Sequence, residues 1–399
     1  MKIHELLPNR SLRSGFLEAV SSFSDLAVLE FGPEGTTHYW ASTIPRISPL
    51  AYTSGILETE VIFGKTSRYE AAVRELIQRP LGGLILLSSC VSDIINADLC
   101  SIAARVQKET TIPLLPVDKL RLDWDYTRGF HMAYDLIAQN LDRLCPQAQP
   151  QPGTAAILGL HPSDYRGLSD FTELKRMLEQ ILGLTCINEP DGTLPLSGLG
   201  KASCFLVLRH EAMPLAQAIT RRFGTPCQFV QPYGLAASRQ ILTVTASMTD
   251  TSYRENPVFL QDWEDAQESA DLLRAKLRQA GRQHVMIHAD VDRAIALQHF
   301  FQTECGVPQV TLPNSTQEKH GDGLLQLSSE EALVQLIRQE PPALLLTDEV
   351  YGQAVSGVCP VLLFSSPLLT RKDISRHSPF MGLRGTTLLA ESAINLLTL

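Results

Sequence analysis

The sequence predicts an α/β protein of three Rossmann-like units, mostly parallel sheets flanked by helices, with a cleft between domains. Three observations predict it. Short apolar runs alternate with amphipathic helical patterns along nearly all of the 399 residues. Two of the runs stop at small or polar residues and pass straight into a helix: Leu86-Leu87-Ser88-Ser89-Cys90-Val91-Ser92-Asp93-Ile94-Ile95, and Phe31-Gly32-Pro33-Glu34-Gly35-Thr36-Thr37-His38-Tyr39. Strands deliver side chains to the carboxyl edge of an α/β sheet in this way, and ligands bind there. Finally, Cys145-Pro146-Gln147-Ala148-Gln149-Pro150-Gln151-Pro152-Gly153 lacks periodicity and reads as a linker.

In chain order the expected strands are Leu26–Glu30, Glu60–Phe63, Leu84–Ser88 and Ile112–Pro116, then Ala155–Leu160, Leu184–Asn188, Cys204–Leu208 and Gln228–Gln231. His284–His288, Gln309–Leu312, Ala343–Thr347 and Pro360–Phe364 complete the set. Helices are expected between nearly all of them. Ser67–Gln78 is amphipathic, and Phe130–Leu144 puts Phe130, Tyr134, Ile137 and Leu141 on one stripe. Asp170-Phe171-Thr172-Glu173 reads as the capping box of the next helix, with Leu174, Met177, Leu178 and Ile181 as its buried face. A long polar helix runs from about Trp263 to Gly281, ahead of a third unit starting at Arg282. The domains drawn from these breaks are 1–146, 153–255 and 256–375, with 376–399 closing on the others.

Composition narrows the function. At 44% hydrophobic residues the chain can bury sizeable cores, and a net charge of −9 with no basic tract argues against nucleic acid or an acidic membrane surface as partner. The start, Met1-Lys2-Ile3-His4-Glu5-Leu6-Leu7-Pro8, lacks the apolar core of a signal peptide, and no apolar run is long enough to span a bilayer, so a cytoplasmic location is expected. GxxxxGK[ST], GxSxG and HExxH are absent, which excludes P-loop ATP hydrolysis, a hydrolase elbow and a zincin. Ser197-Gly198-Leu199-Gly200-Lys201 is glycine-rich but precedes a strand, the wrong side for phosphate binding.

The eight cysteines show no CxxC pair and no framework spacing. Cys186 and Cys204 lie inside apolar runs and Cys305 sits before Gly306-Val307-Pro308, as core thiols do. Cys90 alone sits at a functional edge, where helix N–H groups would stabilise a thiolate able to ligate a metal or cluster. The alternative for Cys90 is a buried free thiol.

Five stretches in order give the chain a resemblance to the component 1 proteins of the nitrogenase superfamily, which include dinitrogenase subunits, the cofactor scaffold pair and the protochlorophyllide reductases. Gly32-Pro33-Glu34-Gly35-Thr36 resembles the family's GPxGC turn, and Ser88-Ser89-Cys90-Val91-Ser92-Asp93-Ile94-Ile95 its [ST]xCxxExIGDD turn. Leu168-Ser169-Asp170-Phe171-Thr172-Glu173-Leu174-Lys175 is similar to the GDxxEIK helix start. Pro232-Tyr233-Gly234-Leu235-Ala236-Ala237-Ser238 is similar to P[IF]GxxxT, and Arg376-His377-Ser378-Pro379-Phe380-Met381-Gly382-Leu383-Arg384-Gly385 to RHxPFxGYxG.

The resemblance implies an α2β2 assembly or a homodimer, electrons from a separate ATP-dependent iron protein, and a [4Fe-4S] cluster shared between two component 1 subunits. A tetrapyrrole or a metallocluster would occupy the cleft. Three cysteines per subunit hold the shared cluster in the family. Here Ser11, four residues before Gly15, stands in the first cysteine's slot and Thr36 in the second, leaving Cys90. Hydroxyls are poor replacements for thiolate on iron. The second subunit of protochlorophyllide reductase is similar in lacking the first cysteine and using an aspartate in the second slot; Glu34, beside Gly35, offers that chemistry here. Cys90 is then a ligand or a neighbour of the cluster, and two cysteines would be all that a homodimer brings, which favours a paralogous partner.

His38 is either a proton relay or a polar rim residue, and His377 either a cofactor neighbour or an ordinary hydrogen-bonded histidine. Arg384 meets an anionic substrate group or pairs with a carboxylate at a domain seam. Three functions follow: a reductase subunit sharing a cluster, a non-catalytic metallocofactor scaffold or carrier, and a small-molecule binding protein of the same fold.

Overall fold

The computed structural model describes residues 11–35, 50–118, 126–147, 149–161, 164–279, 283–314, 323–365 and 375–398. Among these, thirteen strands form three sheets in which every paired neighbour is parallel. Parallel strands need a crossover between them, and the apolar runs with helices between them supply it.

The first sheet holds β1 (Leu26–Phe31), β2 (Ala51–Thr53), β3 (Gly83–Ser88) and β4 (Leu114–Val117), in the order β2-β1-β3-β4. Its helices are α1 (Leu12–Val20), α2 (Glu58–Ile62), α3 (Ser67–Leu76), α4 (Cys90–Ile94), α5 (Leu99–Val106), α6 (Tyr126–Gln139) and α7 (Leu141–Leu144). The second sheet holds β5 (Thr154–Leu158), β6 (Thr185–Cys186), β7 (Phe205–Val207) and β8 (Cys227–Phe229), ordered β6-β5-β7-β8, with α8 (Gly167–Arg176), α9 (Met213–Phe223) and α10 (Leu235–Thr249). After α11 (Pro257–Gln279) comes the third sheet, of β9 (His284–Ile287), β10 (Gln309–Asn314), β11 (Leu324–Gln326), β12 (Leu344–Thr347) and β13 (Val361–Leu363), ordered β11-β10-β9-β12-β13. Its helices are α12 (Val291–His299), α13 (Glu330–Gln339) and α14 (Glu349–Ala354), and α15 (Gly382–Thr398) ends the chain.

Each sheet starts at an inner strand and winds outward both ways, so each has a switch point where the winding reverses: β1/β3, β5/β7 and β9/β12. The cores are shared between sheets. One joins Val28 and Ile85 of the first sheet to Ala156 and Phe205 of the second across α1 and α6. These two helices touch backbone to backbone, because a Cβ on Gly15 would stand 2.0 Å from the Tyr126 carbonyl oxygen and one on Gly129 2.0 Å from that of Leu12. A second core joins Ile157 and Leu206 to Val285 and Leu346, with side chains from α8, α10, α11 and α15 between.

Several expected elements differ. Glu60–Phe63 is no strand: it lies in and just after the exposed α2, whose capping bond runs from the Leu57 N–H to Glu60. The true edge strand, β2, lies upstream. Helix α8 begins at Gly167, not at Asp170, with Arg166 as its N-cap in the left-handed region at φ 59°. Asp170 therefore sits inside the helix and is free to cap something else. The stripe Phe130, Tyr134, Ile137 and Leu141 is buried as expected, but Asn140 divides α6 from α7. The long helix starts at Pro257, earlier than expected, and Arg282 lies outside the described residues.

Candidate functional site

At the first switch point β1 and β3 end side by side, Phe31 opposite Ser88. Ser89 is fully buried and its hydroxyl donates to the Phe31 carbonyl at 2.6 Å. The Ser89 hydroxyl oxygen in turn accepts from the Ser92 N–H at 3.2 Å, while the Ser92 hydroxyl accepts from the Ser89 N–H at 2.6 Å, a reciprocal cap that starts α4. Cys90 is its first residue and is exposed, which sets aside the buried-thiol alternative. From the other side, Thr53 donates to the Gly32 carbonyl at 2.8 Å and Glu34 lies over Gly55, so the turns after β1, β2 and β3 form one edge. Glu34 and Gly35 are exposed on it; Thr36 and His38 lie outside the described residues.

Ser11 is buried and caps α1, accepting from the Ser14 N–H at 3.2 Å. Arg13, on the same helix, meets the fully buried Glu30 of β1 at 2.5 Å, which ties this helix start to the strand that leads into the Glu34 turn. Cys186, Cys204 and Cys305 are buried, and burial pushes the first two thiols up to about 11 and about 12, as befits core residues.

The second switch point carries a charged cluster that sequence spacing does not reveal. Arg209, two residues past β7, grips Asp164 with both carboxylate oxygens at 3.0 and 3.1 Å; Arg293 of α12 reaches the same carboxylate at 2.8 Å. All three are buried. Burial opposes the Asp164 charge, but Arg293 and Arg209 outweigh it and hold the carboxyl below its ordinary range. His161 joins α1 to this cluster, its Nε2 2.5 Å from the Ser21 hydroxyl and its Nδ1 3.3 Å from Glu18. At the third switch point His288 lies 3.3 Å from the Thr347 hydroxyl.

Neither His377 nor Arg384 has a described bond to the Cys90 edge. His377 is exposed, its N–H donating to the Ser375 hydroxyl at 3.1 Å. Arg384, in the first turn of α15, pairs through Nε with Asp262 of α11 at 3.2 Å, the seam pairing expected as one of its two roles. Sequence reasoning also passed over Asp98, Cys100 and Asp118, whose ligand-type atoms lie within 4.8 Å of one another, all exposed. The Cys100 thiol donates to Asp118 at 3.3 Å, and that bond raises its pKa. Among the described residues no helix is long and apolar enough to cross a membrane.

Comparison with known proteins adds the family. The profile described as Nitrogenase component 1 type Oxidoreductase matches residues 14–398. The nitrogenase iron-molybdenum cofactor biosynthesis protein NifE of Klebsiella pneumoniae is 23% identical over 352 residues, 82% of this chain and 75% of its own. A subunit of the light-independent protochlorophyllide reductase of Gloeobacter violaceus is 20% identical over 423 residues, 96% of this chain and 81% of its own. A solved structure titled Nitrogenase Cp1 at pH 6.5 shares the fold with a TM-score of 0.72 at 16% identity, covering 96% of this chain and 91% of that one.

Proposed function

The chain belongs to the nitrogenase component 1 type oxidoreductase family, and from that premise we propose that it is a subunit of a nitrogenase-like reductase complex. It shares a [4Fe-4S] cluster with a paralogous partner and receives electrons from a separate ATP-dependent iron protein. The observation that carries this reading is the exposed Cys90 thiol on a turn held against the Glu34 turn through Ser89 and Phe31. These two turns offer one thiol and one carboxylate, donors for part of a cluster, so the remaining thiolates belong to the partner. A cluster held there would supply one-electron transfer.

In this reading Cys90 ligates and Glu34 takes the place of the missing second thiolate. Ser11 stays a helix cap, since its oxygen already serves Ser14. Gly35 follows Glu34 in the turn, and His38, which lies outside the described residues, is assigned the proton relay in this reading. The charged side chains at the second switch point engage one another, so a tetrapyrrole or metallocluster in the cleft gains no ligand from Asp164, Arg209 or Arg293.

Anaerobic co-purification with the partner, followed by iron and acid-labile sulfide analysis, tests the proposal: the complex is expected to be brown, and Cys90→Ser to lower its iron. Unchanged iron in that variant removes Cys90 from the ligand set. The likeness to NifE supports a second reading, a metallocofactor scaffold. Sustained consumption of electrons from the iron protein separates the two, because a reductase turns over and a scaffold stops after loading.

A further inference from the structure

A groove of about 340 Å³ opens where α11 and α15 meet the π-helical segment Met177–Ile181 that continues α8, on elements that take no part in the first sheet. That is within the size range of small-molecule sites, about 300–1,000 Å³. Its base is Asp262, buried between two arginines. Arg176 reaches the Oδ2 atom at 2.5 Å and is itself held by Glu173 at 2.7 and 2.8 Å; Arg384 reaches Oδ1 at 3.2 Å. This chain of buried ions fixes one edge of the Arg384 guanidinium and leaves its Nη atoms with no protein partner among the described residues, on a side chain that is 56% exposed. Asp265 and Glu391 line the same groove with carboxylates that no described side chain engages, and Gln180 and Gln261 add amide groups.

One oriented guanidinium sharing a groove with two unneutralised carboxylates is the complement of a small molecule with one carboxylate and two ammonium groups. We propose that the groove binds a diamino-carboxylic zwitterion, the class of the basic α-amino acids, with its carboxylate on the Arg384 Nη atoms and its ammonium groups on Asp265 and Glu391. Asp262 and Arg176 act as positioning residues. A simple anion would be repelled by the two acids and a simple diamine by Arg384, so both charges are needed together.

Calorimetric titration of the full chain with L-lysine, putrescine and glutarate tests this. Lysine is expected to bind saturably, with putrescine and glutarate each about tenfold weaker or worse, since each loses a charge-assisted contact. Arg384→Gln is expected to bring lysine down to the level of putrescine. Glu391→Gln weakens lysine about tenfold without disturbing the fold, because Glu391 is exposed and unpaired among the described residues. Absence of saturable lysine binding, putrescine binding as tightly as lysine, or a Glu391→Gln variant indistinguishable from the parent overturns the proposal. Iron content of the complex is untouched in every arm, so this result and the cluster result are read separately.

Discussion

Asp170 is where one side chain changes the meaning of a motif. Its Oδ1 accepts the N–H groups of Phe380 at 2.6 Å and Met381 at 2.9 Å, more than two hundred residues away, so the capping chemistry expected at its own helix is used to hold the C-terminal motif. Neighbouring groups reinforce the hold: Arg166 donates to the Ser378 carbonyl at 2.5 Å with its guanidinium 4.1 Å from the Phe380 ring, and the Ser169 hydroxyl donates to Ser375. Burial raises the Asp170 carboxyl from 3.8 to about 7, against the opposing pull of the Met381 and Phe380 N–H donors and of the Arg293 and Arg166 charges. A raised carboxyl contributes stability below its unfolded value and loses it as pH climbs through the folded value. The thermal midpoint is therefore expected to fall between about pH 4 and 7 relative to an Asp170→Asn variant, whose amide oxygen still accepts both N–H groups. Parallel pH profiles of the two proteins would show Asp170 to be ionised throughout.

At the scale of elements, helices α1 and α6 are held together by two glycines that leave no room for a methyl group. Gly15→Ala or Gly129→Ala forces the backbones apart and is expected to cost about 3 kcal/mol or more, whereas Gly35→Ala, with nothing within 4 Å of the added carbon, changes stability little. Chemical denaturation of the three variants checks this. Central strands were legible because parallel strands buried on both faces are continuous apolar runs, as in the fully buried β1 and β3. The misses have physical causes. β2 and β11 are three-residue edge strands with partly exposed side chains, too short to stand out as apolar runs, while the apolar Val61 to Phe63 mimic a strand although α2 buries nothing. Cys90 was legible because a strand, a stop and a helix are adjacent in sequence. The Asp164, Arg209 and Arg293 cluster was not, since two loops of the second sheet and a helix of the third meet only after the chain has folded.

Across the whole molecule that cluster joins the second sheet to the third, while His161 joins the second to α1. Asp164 pairs with two buried guanidinium groups whose other carboxylate partner, Asp290, is half exposed and farther away, so Asp164→Ala leaves both charges poorly compensated and is expected to cost about 3–5 kcal/mol. Replacing all three residues with apolar side chains of similar size should recover much of that loss. Thermal unfolding of the single and triple variants decides the point, with equal losses in both ruling out stranded charge as the cause. The Ser89 hydroxyl on the Phe31 carbonyl has a consequence at the same scale. A second protein approaching the Cys90 edge finds the sulfur on a capped helix start that Ser89 ties to the end of β1, so among the described residues that turn is already placed. In the proposed shared-cluster reading, recognition there becomes a question of orientation at first encounter, and a partner whose thiols are spaced differently is rejected by geometry.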